Sequence, residues 1–233
     1  SKASAATAAV ANVNDAPIAV NNTLDTVEDT ALTITPATLL ANDSDVDGDT
    51  LTIASVQGAV NGTVALVNGN VVFTPAANYN GTASFTYTVS DGHGGTSTAT
   101  VNVVVAPVND APTGSVTISG MAALGQTLSA ANNLADADGL GTISYQWQAD
   151  GANIGGATGS SYTLTSAEVG KVIKVVASYT DGHGTAESVS SSTTGAVVNV
   201  NSAPTGSITI AGTATQGQIL SATNNLADAD GLG

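Results

Sequence analysis

Seven consecutive residues, Asp43-Ser44-Asp45-Val46-Asp47-Gly48-Asp49, set carboxylates at every second position of one short stretch. Two sparser runs repeat the idea, Asp136-Ala137-Asp138-Gly139 and Asp228-Ala229-Asp230-Gly231. Single aspartates precede glycine in Asp91-Gly92-His93-Gly94 and Asp181-Gly182-His183-Gly184. Carboxylates held a few ångströms apart near a surface repel one another by roughly 1–4 kcal/mol per pair. Lys2, Lys171 and Lys174 are the only basic side chains, set against 18 acidic ones, so salt bridges cannot offset that repulsion. A hard divalent cation can. Ca²⁺ accepts about 6–8 oxygen ligands at about 2.3–2.6 Å in tolerant geometry, from carboxylates, Asn and backbone carbonyls. Mg²⁺ demands a stricter octahedron, and Zn²⁺ favours His and Cys, of which the clusters hold almost none. Ca²⁺ is therefore the expected cofactor; the bland alternative is turn chemistry alone, because Asp-Gly is itself a good turn former.

Other chemistries find little footing. The run from Asp43 to Gly48 matches the start of an EF-hand loop, but the twelfth position is Ala54 rather than a bidentate acid, and no helical pattern flanks it. His93 and His183 occupy equivalent Asp-Gly-His-Gly turns and read as turn residues rather than catalytic bases. No nucleophile elbow and no His-Glu-x-x-His is present, so no enzyme is expected. The net charge of -15 argues against nucleic acid and against an anionic membrane surface. No apolar run approaches the ~18 residues of a membrane span. The absence of cysteine removes disulfides, thiolate metal sites and cysteine nucleophiles.

The elements that must hold these acids follow from internal repetition. Asn14-Asp15-Ala16-Pro17 recurs as Asn109-Asp110-Ala111-Pro112 and as Asn201-Ser202-Ala203-Pro204, at steps of 95 and 92 residues. Such steps suit β-sandwiches of about 100 residues. Residues 112–141 align without gaps to 204–233, identical at 23 of 30 positions. The expected organisation is all-β: residues 1–14 as the last strand of a preceding repeat, complete sandwiches over 15–108 and 109–200, and the first third of a further repeat over 201–233. That last third cannot bury its own inner face, so it is expected to be disordered or completed by a neighbouring chain.

Asn68-Gly69 between two apolar runs predicts a tight hairpin, since both turn positions need positive φ. Phe85, Tyr87 and Val89 alternate with polar residues, then Val101, Val103 and Val105 do the same, giving a second hairpin around Asp91. In the second unit Ile143, Tyr145 and Trp147 alternate, as do Ile173, Val175, Ala177 and Tyr179, and no helical period persists. Trp147 on an early-middle strand suits an immunoglobulin-like sandwich. With seven strands in sandwich order, the second-to-third and sixth-to-seventh loops share one end with the leading linker. That places Asp43–Asp49 and Asp91 beside Asn14-Asp15, and Asp136, Asp138 and Asp181 beside Asn109-Asp110. Glu28 and Asp29 face the second linker from the opposite end, and Glu168 the third.

The Asn-Asp-Ala-Pro linkers, Val27-Glu28-Asp29-Thr30, the Asp-x-Asp-Gly-Asp loop and Tyr87-Thr88-Val89-Ser90-Asp91-Gly92 resemble bacterial cadherin-like repeats. The second unit, with Tyr145-Gln146-Trp147-Gln148, resembles the Ig-like repeats that accompany them in giant RTX-type adhesins. The resemblance implies tandem cadherin-like and Ig-like sandwiches, two complete and flanked by partial ones, with Ca²⁺ at the linkers. It implies Glu28, Asn109, Asp110, Asp136, Asp138 and Asp181 as ligands at the second linker. Asp15, Asp43, Asp45, Asp47, Asp49 and Asp91 would serve the first, and Glu168, Asn201, Asp228 and Asp230 the third, where Ser202 replaces the linker Asp. The implied role is a calcium-rigidified, secreted spacer of a bacterial surface adhesin, whose partners are neighbouring repeats of the same protein. Two alternatives stand beside it. One is a filament subunit in which identical chains complete one another's strands; the other is a carbohydrate-binding module, which needs an exposed aromatic platform.

Overall fold

The computed structural model describes residues 13–228 and divides the chain into two compact units, Ser1–Asn109 and Asp110–Gly233. The strand expected over residues 1–14 therefore falls largely outside the described residues, as does Asp230.

The first unit has seven strands: β1 Asn22–Val27, β2 Leu32–Ile34, β3 Thr52–Val60, β4 Gly62–Val67, β5 Asn70–Pro75, β6 Gly81–Ser90 and β7 Thr96–Ala106. They form two sheets, in the orders β1-β7-β6-β3 and β2-β5-β4. β1 runs parallel to β7, and the other pairs are antiparallel. Alternation decides which side chains turn inward: Phe85, Tyr87 and Val89 of β6 and Val101 and Val103 of β7 are fully buried, together with Val71 and Phe73 of β5. Phe73 and Phe85 stack with centroids 5.7 Å apart. The expected hairpin joins β4 to β5, with Val67 opposite Asn70 and both turn residues at positive φ, Asn68 at 50° and Gly69 at 81°.

One element departs from the expectation of no helix. A single turn, α1 Pro36–Leu39, links β2 to the aspartate loop and runs into a 3-10 turn over Leu40–Asn42. Thr35 caps it through the N–H of Thr38, Pro36 presets the first helical φ, and Leu39 is fully buried. Four residues are too few to show a 3.6-residue period in the sequence.

The second unit also has seven strands in two sheets, but its first strand joins the three-stranded sheet: β8 Val116–Ser119, β9 Thr127–Asn132, β10 Ser144–Ala149, β11 Ala152–Asn153, β12 Ser161–Thr163, β13 Ile173–Thr180 and β14 Ala186–Ser190. The sheets are β12-β9-β8 and β11-β10-β13-β14. Trp147, Leu128, Ile173, Val175 and Ala177 are fully buried between them. Without a disulfide, this apolar core holds the two layers together.

Residues 205–227 form a further hairpin, β15 Ile208–Ala211 with β16 Ser221–Asn224, closed by a bridge between Thr205 and Ala227. It copies β8–β9, which the bridge between Thr113 and Ala135 closes in the same way. The burial differs: Val116 and Leu128 are at 4% and 0% exposure, whereas their counterparts Ile208 and Leu220 are at 64% and 50%. The segment is thus a paired hairpin whose Ile208 and Leu220 lie exposed.

Candidate metal centre

In the first unit the loop after the 3-10 turn wraps Asp45, Asp47 and Asp49 so that one carboxylate oxygen of each lies within 4.8 Å of the others. Asp45 organises the loop. Its Oδ1 accepts the N–H groups of Asp47 at 2.9 Å and Asp49 at 3.4 Å, while its Oδ2 is buried with no hydrogen-bond donor. Asp47 Oδ2 accepts the backbone N–H of Asp15 at 2.7 Å, so Asp15 enters through its main chain. From the β6–β7 turn, Asp91 accepts the N–H groups of His93 at 2.7 Å and Gly95 at 3.0 Å, and the Asn14 amide at 2.8 Å. A Cβ at Gly95 would collide with Asp91 Oδ2, which is why this turn carries glycine.

Asp43 stands apart from this group. Its carboxylate accepts the Val20 N–H at 2.7 Å and the Tyr87 hydroxyl at 3.0 Å, tying the loop's root to the core. Burial, then the hydrogen bond to Asp43, drives the Tyr87 hydroxyl well above the ordinary tyrosine pKa. Asp43 is thus a structural acid rather than a companion of the three that follow.

The second unit builds the same frame from fewer acids. Asp136 Oδ1 accepts the Asp138 N–H at 2.9 Å, as Asp45 does for Asp47. Asp138 Oδ2 accepts the Asp110 N–H at 2.6 Å, as Asp47 does for Asp15. The remaining oxygen of Asp136 accepts the Tyr179 hydroxyl. Asp181, buried to 7% exposure, accepts the His183 N–H at 2.9 Å and the Thr185 N–H at 2.8 Å through Oδ1; its Oδ2 is buried without a donor.

Glu28 follows β1 and is 2% exposed. Its Oε1 accepts the Val108 N–H at 2.6 Å, and its Oε2 is a further buried oxygen without a donor. Glu168 has another occupation. Its Oε2 accepts both the N–H and the hydroxyl of Thr165, closing a capping box on a 3-10 turn over Ser166–Glu168. Asn201 makes a local bond to the Ser202 carbonyl at 3.2 Å. Asn109 closes the first unit, and Asp228 is the last described residue. Asn14, the two histidines and the two tyrosines are the participants that sequence reasoning missed. The recurrence of Asn-Asp and of Asp-Gly-His-Gly at matching places carries the signal for the first three.

A buried acid with an unsatisfied oxygen is costly as an anion unless something positive approaches it. An oxygen-seeking cation fits what these loops offer: clustered carboxylates, an Asn side chain, and few protons to contribute. In Asp91 the Asn14 amide and the turn N–H groups outweigh burial and hold the carboxyl below its ordinary range. In Asp181 burial pushes upward, but the bonds from Thr185 and His183 prevail. Carboxyls titrating below the unfolded value of about 3.9 add stability that is complete above that pH and is lost as pH falls through the folded pKa. In metal-free buffer the melting temperature should therefore hold level from about pH 7 to 5 and drop below about pH 4. Asp91→Asn should flatten that drop for the first unit, and equal acid sensitivity in the variant would contradict the assignment.

Residues 13–106 match the family described as the cadherin-like domain. Solved structures that are similar include mouse cadherin-23 EC22-24, at 17% identity and TM-score 0.44 over 82% of this chain and 69% of that one. Human CDH23 EC21-23 gives 19% identity and TM-score 0.44 over 92% and 81%. No curated protein matches the sequence.

Proposed function

We propose that this chain is a calcium-rigidified extracellular spacer of a bacterial surface adhesin, without catalysis of its own. One observation carries the reading. Asp45, Asp181 and Glu28 each bury a carboxylate oxygen that no donor satisfies, in a chain of net charge -15. Ca²⁺ supplies the missing positive partner, and ions bound at the ends of consecutive units would limit their freedom to swing. Folding outside the cell fits a chain with no cysteine whose ligands must await the external ion. The partners in this role are neighbouring repeats of the same protein.

Small-angle scattering of the full chain in Ca²⁺ and in EGTA tests the spacer role. The expected result is a longer maximum dimension with the ion and a shorter, more variable one without it. Identical profiles in the two buffers would defeat the reading. The filament alternative draws on the open apolar face of Ile208, Ile210 and Leu220; a monomer by size exclusion at high protein concentration would exclude it. The carbohydrate-binding alternative loses its platform, because every aromatic side chain is buried or half-buried.

A further inference from the structure

The two aspartate loops are built alike and closed differently. In each, the leading acid accepts the N–H of the acid two residues on, Asp45 from Asp47 at 2.9 Å and Asp136 from Asp138 at 2.9 Å. A glycine N–H then returns to the leading acid's carbonyl, Gly48 to Asp45 at 3.3 Å and Gly139 to Asp136 at 3.2 Å. They part at the second oxygen of the leading acid. Asp45 Oδ2 is buried without a donor, whereas Asp136 Oδ2 accepts the Tyr179 hydroxyl. We propose that Tyr179 sets the Ca²⁺ affinity of the second unit below that of the first, by holding with its own proton the oxygen that Asp45 leaves to an ion. This rests on the calcium reading above and adds an order of loading to it, the first unit filling at lower Ca²⁺ than the second.

Three observations support the assignment. First, the tyrosines stand at different places on their strands. Tyr87 lies four residues before Asp91 on β6, and Tyr179 two residues before Asp181 on β13. That difference of two residues carries Tyr179 about 7 Å nearer its loop. Tyr87 accordingly bonds Asp43, two residues ahead of Asp45, whereas Tyr179 bonds Asp136 itself. Second, the second loop has fewer acids. Four residues after Asp45 stands Asp49, but four after Asp136 stands Leu140. Asp45, Asp47 and Asp49 are the one set of three acids among the described residues with carboxylate oxygens within 4.8 Å of one another. Ca²⁺ affinity rises with the number of ligand charges.

Third, the second loop is more sheltered. His183 Nδ1 and Asp138 Oδ1 form a hydrogen bond of 3.0 Å between side chains 33% and 2% exposed, against 63% and 22% for the 3.1 Å contact of His93 with Asp49. A hydrogen bond shielded from water is stronger and yields less readily to an incoming ion. Before Ca²⁺ can use Asp136 Oδ2, the bond from Tyr179 to that charged oxygen must break, which weakens the apparent affinity by about tenfold or more.

The test is a CaCl₂ titration of the metal-stripped full chain, followed in ¹H–¹⁵N spectra through the amides of Gly48 and Gly139, which report the two loops separately. In the parent, Gly48 should reach its midpoint at about tenfold lower free Ca²⁺ than Gly139. Tyr179→Phe keeps the ring and removes only the hydroxyl. It should lower the Gly139 midpoint by about tenfold and leave that of Gly48 where it was. Leu140→Asp, at a position 42% exposed, should shift the Gly139 midpoint the same way without touching the core. A bond that merely oriented Asp136 would give the opposite sign, since losing such a support weakens binding. Equal midpoints in the parent, or a weaker second unit in Tyr179→Phe, would overturn the inference and leave the calcium reading standing. Amides of both loops that ignore Ca²⁺ would remove the calcium reading and the inference with it.

Discussion

Chelating Ca²⁺ should lower the melting temperature of each unit by roughly 10–20 °C, the largest effect any change of solution should have on this chain. An ion that binds the folded state alone stabilises it by about 2.7 kcal/mol when its free concentration is a hundred times Kd. For a domain near 100 residues, each kcal/mol moves the midpoint by about 4–8 °C. The structural reason is specific: Asp45, Glu28 and Asp181 each keep a buried carboxylate oxygen without a donor, an acceptor that a bound cation would satisfy. Differential scanning calorimetry with Ca²⁺ and then with excess EGTA reads the shift, and Mg²⁺ in place of Ca²⁺ should restore little of it. Asp45→Asn in the first unit and Asp181→Asn in the second should each abolish most of the shift in its own unit alone. Transitions that coincide in the two buffers would mean that these loops are self-sufficient turns.

Much of this arrangement is legible in the sequence because it is local. Alternation along β6 and β7 identifies the buried face, and a tight turn between them must then present Asp91 at one end of the sandwich. The same logic places Asp181 after β13. What stays hidden depends on partners far along the chain. Asp43 looks like the first member of the aspartate run, and only the packing of Tyr87, 44 residues away, shows that it serves the core. Glu28 is recognisable as an acid after a strand, but its burial depends on the chain returning at Val108, 80 residues later. Glu168 shows a competing local demand. Thr165 and Glu168 carry the spacing of a capping box in plain view, and that local demand takes up an oxygen otherwise available to a metal. Pro36 announces a helix start, yet four residues offer no period to detect.

Replacing Trp147 by Ala should unfold the second unit and leave the first intact. The indole is fully buried, its Nε1–H donates to the Gly159 carbonyl at 2.9 Å, and its ring lies 6.3 Å from that of Tyr162. Deleting a buried indole costs about 3–5 kcal/mol, and the Gly159 carbonyl loses its donor as well. A domain of this size has about 5–15 kcal/mol in all, and this one has no disulfide to hold its sheets after the core is opened. Calorimetry should therefore show one of two transitions lost or moved far down, with the first unit's transition unmoved. The consequence for the cation is what links core to site. Asp136, Asp138 and Asp181 belong to separate loops, at the ends of β9 and β13, and only the packed sandwich brings those loops together. Cation binding by the second unit should then vanish with its fold, while the first unit keeps its own. Trp147→Phe, which retains much of the apolar volume but leaves the carbonyl without a donor, should fall between the two. Undiminished binding in an unfolded second unit would mean that local chain composition, not the sandwich, assembles the acids.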